Sequence, residues 1–146
     1  MQIVDFAFNY VVVFLIVLTI LVFVHEWGHY WVARRAGVRV EVFSIGFGPE
    51  IYGWTDKHDT RWKISAIPLG GYVKMFGEAD LGWEEEEESR PLSPEEKAVS
   101  FHHKKLWQRS AIVAAGPIAN FIFAAVLVAL LAGIVGTARP PWPAAS

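Results

Sequence analysis

Residues 6–29 read FAFNYVVVFLIVLTILVFVHEWGH, and this stretch decides the fold. From Phe6 to Val24 no residue is charged, a run about 28 Å long as an α-helix and enough to cross the hydrocarbon core of a bilayer. It ends directly in His25-Glu26-Trp27-Gly28-His29, an H-E-x-x-H pattern. Ionisable groups are expensive to insert at membrane depth, so their presence there marks function by default. A cleaved signal peptide is the rival reading of the same run, and it fits poorly. Asp5 stands where a basic n-region belongs, the apolar core is too long, and no A-x-A site follows.

The five residues carry a specific chemistry. On a helix, positions four apart lie about 40° apart in azimuth and about 6 Å along the axis. His25 and His29 can therefore reach one Zn²⁺ through their imidazoles. Glu26 lies about 100° round from His25, beside the metal without filling its open position. A carboxylate there suits the general base that takes a proton from water and returns it to a departing amine. Gly28 shares the histidine face and leaves room for another chain, while Trp27 points the opposite way, toward lipid. The bland alternative is a pair of interfacial histidines snorkelling beside Trp27, Tyr30 and Trp31.

Working outward, Ala111–Ala138 forms a second uncharged run long enough to span with tilt. The whole chain of 146 residues is 53% hydrophobic, with a mean hydropathy of +0.32, so apolar segments must alternate with a polar one. The net charge of −2 comes with no basic face interleaved with aromatics, which sets nucleic acid aside as a partner. Without cysteine, disulfides, thiol chemistry and Cys-ligated zinc are excluded. Basic residues cluster where the two spans meet the polar loop, Arg34, Arg35 and Arg39 at one end and Lys104, Lys105 and Arg109 at the other. The loop over 37–106 is therefore expected in the cytoplasm and both termini across the membrane.

Between the spans, Val40, Val42, Phe43, Ile45 and Phe47, then Trp62, Ile64, Ala66 and Ile67, alternate as strands do. Glycines and prolines punctuate them, and the pattern predicts a small antiparallel β unit closing at Gly70-Gly71. Glu84–Glu88 reads as a solvated linker. Ser93-Pro94-Glu95-Glu96 matches a capping box opening a short interfacial helix. His102 and His103 are adjacent, diverge on a helix, and read as surface residues. The fold class is thus an α-helical multi-pass membrane protein, two transmembrane helices with a small membrane-associated antiparallel β unit between them. Asn120 lies about 16 Å in from Arg109, and His25 about 13 Å in from Arg34. Antiparallel spans therefore bring Asn120 to the level of the motif. Gly116, Asn120 and Ala124 share one face, where small residues allow close helix packing. Three roles stay open for Asn120: a bond to substrate backbone, support of a metal ligand, or a purely inter-helical bond.

HEWGH closing the first span, FSIGFGP, IPLGGYVKM, and WQRSAIVAAGPIANF opening the second together resemble the site-2 protease family. The nearest branch is the bacterial regulator-of-sigma-E protease type, and the likeness covers nearly the whole chain. The resemblance implies an intramembrane zinc metalloprotease of the inner (plasma) membrane that cuts transmembrane segments of protein substrates, anti-sigma-factor-like ones among them. It implies His25 and His29 as Zn²⁺ ligands and Glu26 as catalytic base. Gly46, Gly48, Gly70 and Gly71 match the family's membrane-re-entrant β element, and Gly116, Pro117 and Asn120 its second-span motif. With Asn120, the four β-element glycines are the candidate substrate-binding residues. An open strand edge there can pair with an unwound substrate segment by β-augmentation.

The resemblance also sets the expected layout. The first transmembrane helix covers 1–36, the re-entrant β element 37–83, an acidic linker and interfacial helix 84–106, and the second transmembrane helix 107–138. Residues 139–146 are expected to link to a C-terminal part. The family's third zinc ligand is an Asp in an L-D-G motif on a later helix. Here Asp80-Leu81-Gly82 has the order D-L-G and lies in the loop. The chain is accordingly read as the N-terminal portion of a longer protease, inactive without that ligand. The rival reading is a catalytically incomplete member that binds or scaffolds membrane helices. A metal transporter is weaker still, because most of the first span offers no polar path.

Overall fold

A computed structural model describes residues 2–78 and 92–136. Helix α1 (Gln2–Arg35) is followed by strands β1 (Val40–Thr55) and β2 (Arg61–Met75), a short helix α2 (Pro94–Val99) and helix α3 (Leu106–Val135). Glu84–Glu88, Asp80-Leu81-Gly82 and residues 139–146, assigned above as loop or linker, lie outside the described residues. Two helices, over Phe8–Arg35 and Leu106–Ile134, are long and apolar enough to cross a membrane, and the small antiparallel sheet stands between them.

Helix α1 stops where the sequence tells it to. Val38 N–H bonds Ala33 C=O at 2.9 Å, and Gly37 takes φ +72°, a left-handed cap that satisfies carbonyls the helix leaves orphaned. The α2 capping box is formed: Ser93 Oγ accepts from Glu96 N–H at 3.2 Å, and Glu96 Oε2 accepts from Ser93 N–H at 2.8 Å. Helices α1 and α3 pack through small residues. A Cβ added to Gly28 would sit 2.5 Å from Ala115 O and 2.8 Å from Ala119 Cβ. Between two lipid-solvated helices such backbone approach supplies the association that burial of apolar area supplies in water. The remaining faces carry exposed apolar side chains, among them Phe14, Ile16, Phe121, Ile122 and Ile134. The buried core is small and sits at the α1 C-terminal end, where Ala33, Val38, Val40, Met75 and Ile112 meet.

The sheet is more folded than strand alternation indicates. Thr55, Trp54 and Gly53 pair with Arg61, Trp62 and Lys63 across the turn 56–60. Beyond a bend at Gly46 (φ +88°), the first half of β1 takes two partners. Phe43, Ser44 and Ile45 face Trp62, Lys63 and Ile64 on one side and Val73, Tyr72 and Gly71 on the other. Gly70-Gly71 consequently is not the closing turn; both residues lie within β2, and Gly71 pairs with Ile45. The turn forms at Asp56–Thr60 because the Asp56 carboxylate accepts the N–H groups of His58 (2.7 Å) and Thr60 (3.2 Å). The other Asp56 oxygen accepts from Trp62 Nε1 at 3.0 Å and Tyr30 Oη at 3.4 Å, tying the turn to α1.

Candidate metal centre and active site

His25, Glu26 and His29 lie half-buried on the inner part of α1. The imidazoles of His25 and His29 stand side by side, ring centroids 4.8 Å apart. His29 Nδ1 lies 2.8 Å from the carbonyl oxygen of Ile112 on α3. A carbonyl only accepts, so Nδ1 donates and Nε2 keeps its lone pair. His25 Nδ1 lies 3.3 Å from Asn120 Nδ2, the nitrogen end of the side-chain amide. Both Nε2 atoms converge on Gly116: a Cβ there would lie 2.8 Å from His25 Nε2 and would overlap His29 Nε2 outright. Helix α3 thus meets the histidine pair with a residue that has no side chain.

Two imidazole nitrogens converging at i, i+4, with at least one tautomer fixed from behind, suit a borderline ion such as zinc. Among the described residues, no group of three or more His, Cys, Asp or Glu side chains comes together as a metal site. A catalytic zinc takes three protein ligands and keeps one open position. The residues present fit as two of the three.

Glu26 faces the sheet. A Cβ on Gly71 would lie 3.2 Å from Glu26 Cγ and 2.8 Å from Val22 Cγ1, so β2 passes α1 at contact distance. Beside that crossing opens a cleft of about 220 Å³, lined by Glu26, His29, Gly71, Met75, Glu78 and Ile112 among others. The first half of β1 pairs with Gly71–Met75, and Gly71, Tyr72, Val73 and Met75 of this stretch line the cleft.

The other sequence-derived candidates fall elsewhere. Gly46 backs onto the β2 carbonyls of Ser65 and Ile67, Gly48 onto the Ile67 side chain, and Gly70 onto the Phe47 ring. Of the four β-element glycines, Gly71 alone lines the cleft with Glu26. His103 contacts Ser100 Oγ at 3.2 Å. Two features of the site had no sequence signal: the Ile112 carbonyl, which any residue would supply, and Glu78, which lines the cleft just beyond β2. Gly116 did carry a signal, its four-residue spacing to Asn120, which reads equally as helix packing.

Residues 13–140 match the family model described as Peptidase family M50. A Rhizobium meliloti (strain 1021) protein bearing a zinc-metalloprotease name is 54% identical over 126 residues, covering 86% of this chain and 34% of its own length. One from Agrobacterium fabrum, similarly named, is 55% identical over 132 residues, 90% of this chain and 35% of its own. The regulator of sigma-E protease of Salmonella typhimurium (strain 14028s) is 49% identical over 129 residues, 87% of this chain and 26% of its own. The chain therefore spans about a third or less of the relatives it matches.

Proposed function

The chain belongs to peptidase family M50, the site-2 proteases, and we propose that it carries the histidine pair and catalytic base of an intramembrane zinc metalloprotease. The observation behind this reading is the convergence of His25 and His29 Nε2 on Gly116, with Glu26 next to them at the cleft. In this reading His25 and His29 supply two zinc ligands. The third, an Asp by resemblance, comes from a part of the protein outside these 146 residues. Zinc supplies the Lewis-acid charge that makes water a nucleophile near neutral pH.

The chain's own residues do the rest. Glu26 takes the proton of the attacking water and delivers it to the leaving amine. The β2 stretch Gly71–Val73, which borders the cleft, receives an unwound stretch of a substrate's transmembrane segment by strand pairing. That step matters because a helical peptide bond is shielded by its own hydrogen bonds, and strand pairing exposes it next to Glu26. The substrates are membrane proteins, of the anti-sigma-factor type by analogy with the regulator of sigma-E protease. The protein sits in the inner membrane with the β unit and α2 on the cytoplasmic side.

The test is Glu26→Gln in the full-length protein, with cleavage of a single-span substrate as readout. A base of this kind contributes about 10²–10⁴-fold, and a loss of that size is expected with zinc content unchanged. Unchanged cleavage would remove Glu26 from the chemistry, and absence of cleavage by the wild type as well would favour the scaffold reading.

A further inference from the structure

We propose that Asn120 is a positioning residue whose side-chain oxygen accepts the Nδ1–H of His25 and so leaves His25 Nε2 bare toward the metal position. The proposal rests on the reading of His25 as a zinc ligand, and it names what makes that histidine competent.

The argument starts from the neighbouring histidine. His29 has a carbonyl behind Nδ1, at 2.8 Å, and a carbonyl has no proton to give. Its tautomer is therefore decided by backbone, with Nε2 left as the lone pair. His25 has Asn120 in the corresponding place, 3.3 Å from Nδ1. An Asn amide presents a donor at one end and an acceptor at the other, and the hydrogen-bond network decides which faces a given partner. If Nδ2 donated to His25 Nδ1, the ring proton would sit on Nε2. That nitrogen lies at the same spot, beside Gly116, as the bare Nε2 of His29. One of the two converging atoms could then bind a metal and the other could not.

With Oδ1 turned toward His25, both rings hold the same tautomer, each fixed from behind by an oxygen on α3. In the structure Nδ2 faces His25 Nδ1, and Asn120 Oδ1 is buried with no hydrogen-bond partner among the described residues; exchanging the two ends of the amide brings Oδ1 to His25. A buried acceptor left unsatisfied costs about 1–3 kcal/mol, and His25 Nδ1–H is a donor within reach. Ligating histidines almost always donate their second N–H to an oxygen in this way, and losing that partner weakens metal affinity about 10–100-fold. Asn120 and Ile112 lie on the same helix, so α3 sets both tautomers at once.

The experiment reads the tautomer directly, without metal and without activity. The protein, labelled with ¹⁵N-histidine and held metal-free in lipid nanodiscs at roughly pH 8, where imidazole is neutral, is examined by solid-state NMR. Wild type is expected to show His25 and His29 both protonated on Nδ1. Asn120→Leu, which keeps the volume but not the oxygen, is expected to release His25 into a mixture with the Nε2–H form while His29 stays put. Asn120→Asp keeps an acceptor and is expected to keep Nδ1–H. Zinc affinity by chelator competition should fall about 10–100-fold in Asn120→Leu and hold in Asn120→Asp. A wild-type His25 protonated on Nε2, or an Asn120→Leu variant with unchanged tautomer and zinc affinity, would overturn the proposal. The unchanged His29 signal serves as the control for folding. Zinc content of His25→Ala tests the ligand reading separately, so the two can fail independently.

Discussion

Gly116 shows how much of the candidate site depends on one missing methyl group. A Cβ at this position would lie 2.7 Å from His29 Cε1 and 2.8 Å from His25 Nε2, inside van der Waals contact with both rings. Neither imidazole can retreat without losing its partner behind it, Ile112 for His29 and Asn120 for His25. Gly116→Ala is therefore expected to lower zinc stoichiometry and cleavage while the helices still insert, because alanine favours helix over glycine by about 1 kcal/mol. Elemental analysis of the purified variant checks this; full zinc occupancy would show that α3 does not crowd the pair. At this scale the sequence was most readable where spacing within one helix carries the chemistry. His25 and His29 are neighbours by helix geometry alone. Which atom of α3 stands behind each ring depends on a contact some 80 to 95 residues away in sequence, with no local pattern.

The sheet depends on Asp56 in the same way that the histidine pair depends on α3. Its carboxylate takes two turn N–H groups, the Trp62 indole and the Tyr30 hydroxyl, so one side chain joins the turn, β2 and α1. Partial burial pushes the Asp56 carboxyl up, but the bonds from Trp62, His58 and Thr60, with the nearby His58 charge, outweigh it and hold the group below its ordinary value. A carboxyl that is more acidic in the folded state stabilises the fold above its unfolded value, about 3.9, and that contribution fades as pH falls through the folded value. Protection factors at His58 and Thr60, the exchange rates taken against the intrinsic rate at each pH, are thus expected to fall on acidification in the wild type. Asp56→Asn should show lower protection at neutral pH and lose that acid-dependent fall; identical pH profiles would refute the role. Alternation of apolar residues is enough to read strand-like stretches at 38–54 and 60–73. The double pairing of Phe43–Ile45 was not readable, because a local pattern does not say where a strand bends back past itself. For the same reason the pattern points to a closing turn at Gly70-Gly71, although Asp56, with amide donors two and four residues ahead, has the chemistry for it.

For the whole molecule, the arrangement of charge is the strongest statement. Because α1 and α3 run antiparallel, Arg34, Arg35 and Arg39 come to the same end of the pair as Lys104, Lys105 and Arg109. Several are held there: Arg35 stacks on Trp31 at 4.1 Å, Arg39 on Phe76 at 4.0 Å, and Lys104 Nζ donates to Ala98 O at 2.7 Å. Basic residues flanking spans are retained on the cytoplasmic side, so the sheet, α2 and the cleft are expected there, with residue 2 across the membrane. In this orientation water and the unwound substrate would both be expected to reach Glu26 from the cytoplasmic end, through the cleft that Glu78 and Met75 line. These 146 residues hold no cysteine, so a single introduced thiol is the one that labels within them. Glu95→Cys, on exposed α2, should react with a membrane-impermeant maleimide in inverted vesicles and not in intact spheroplasts. Gln2→Cys should show the reverse. If Glu95→Cys labels from the outside, the cleft opens to the other compartment, and any substrate segment would have to approach Glu26 from the opposite face of the membrane.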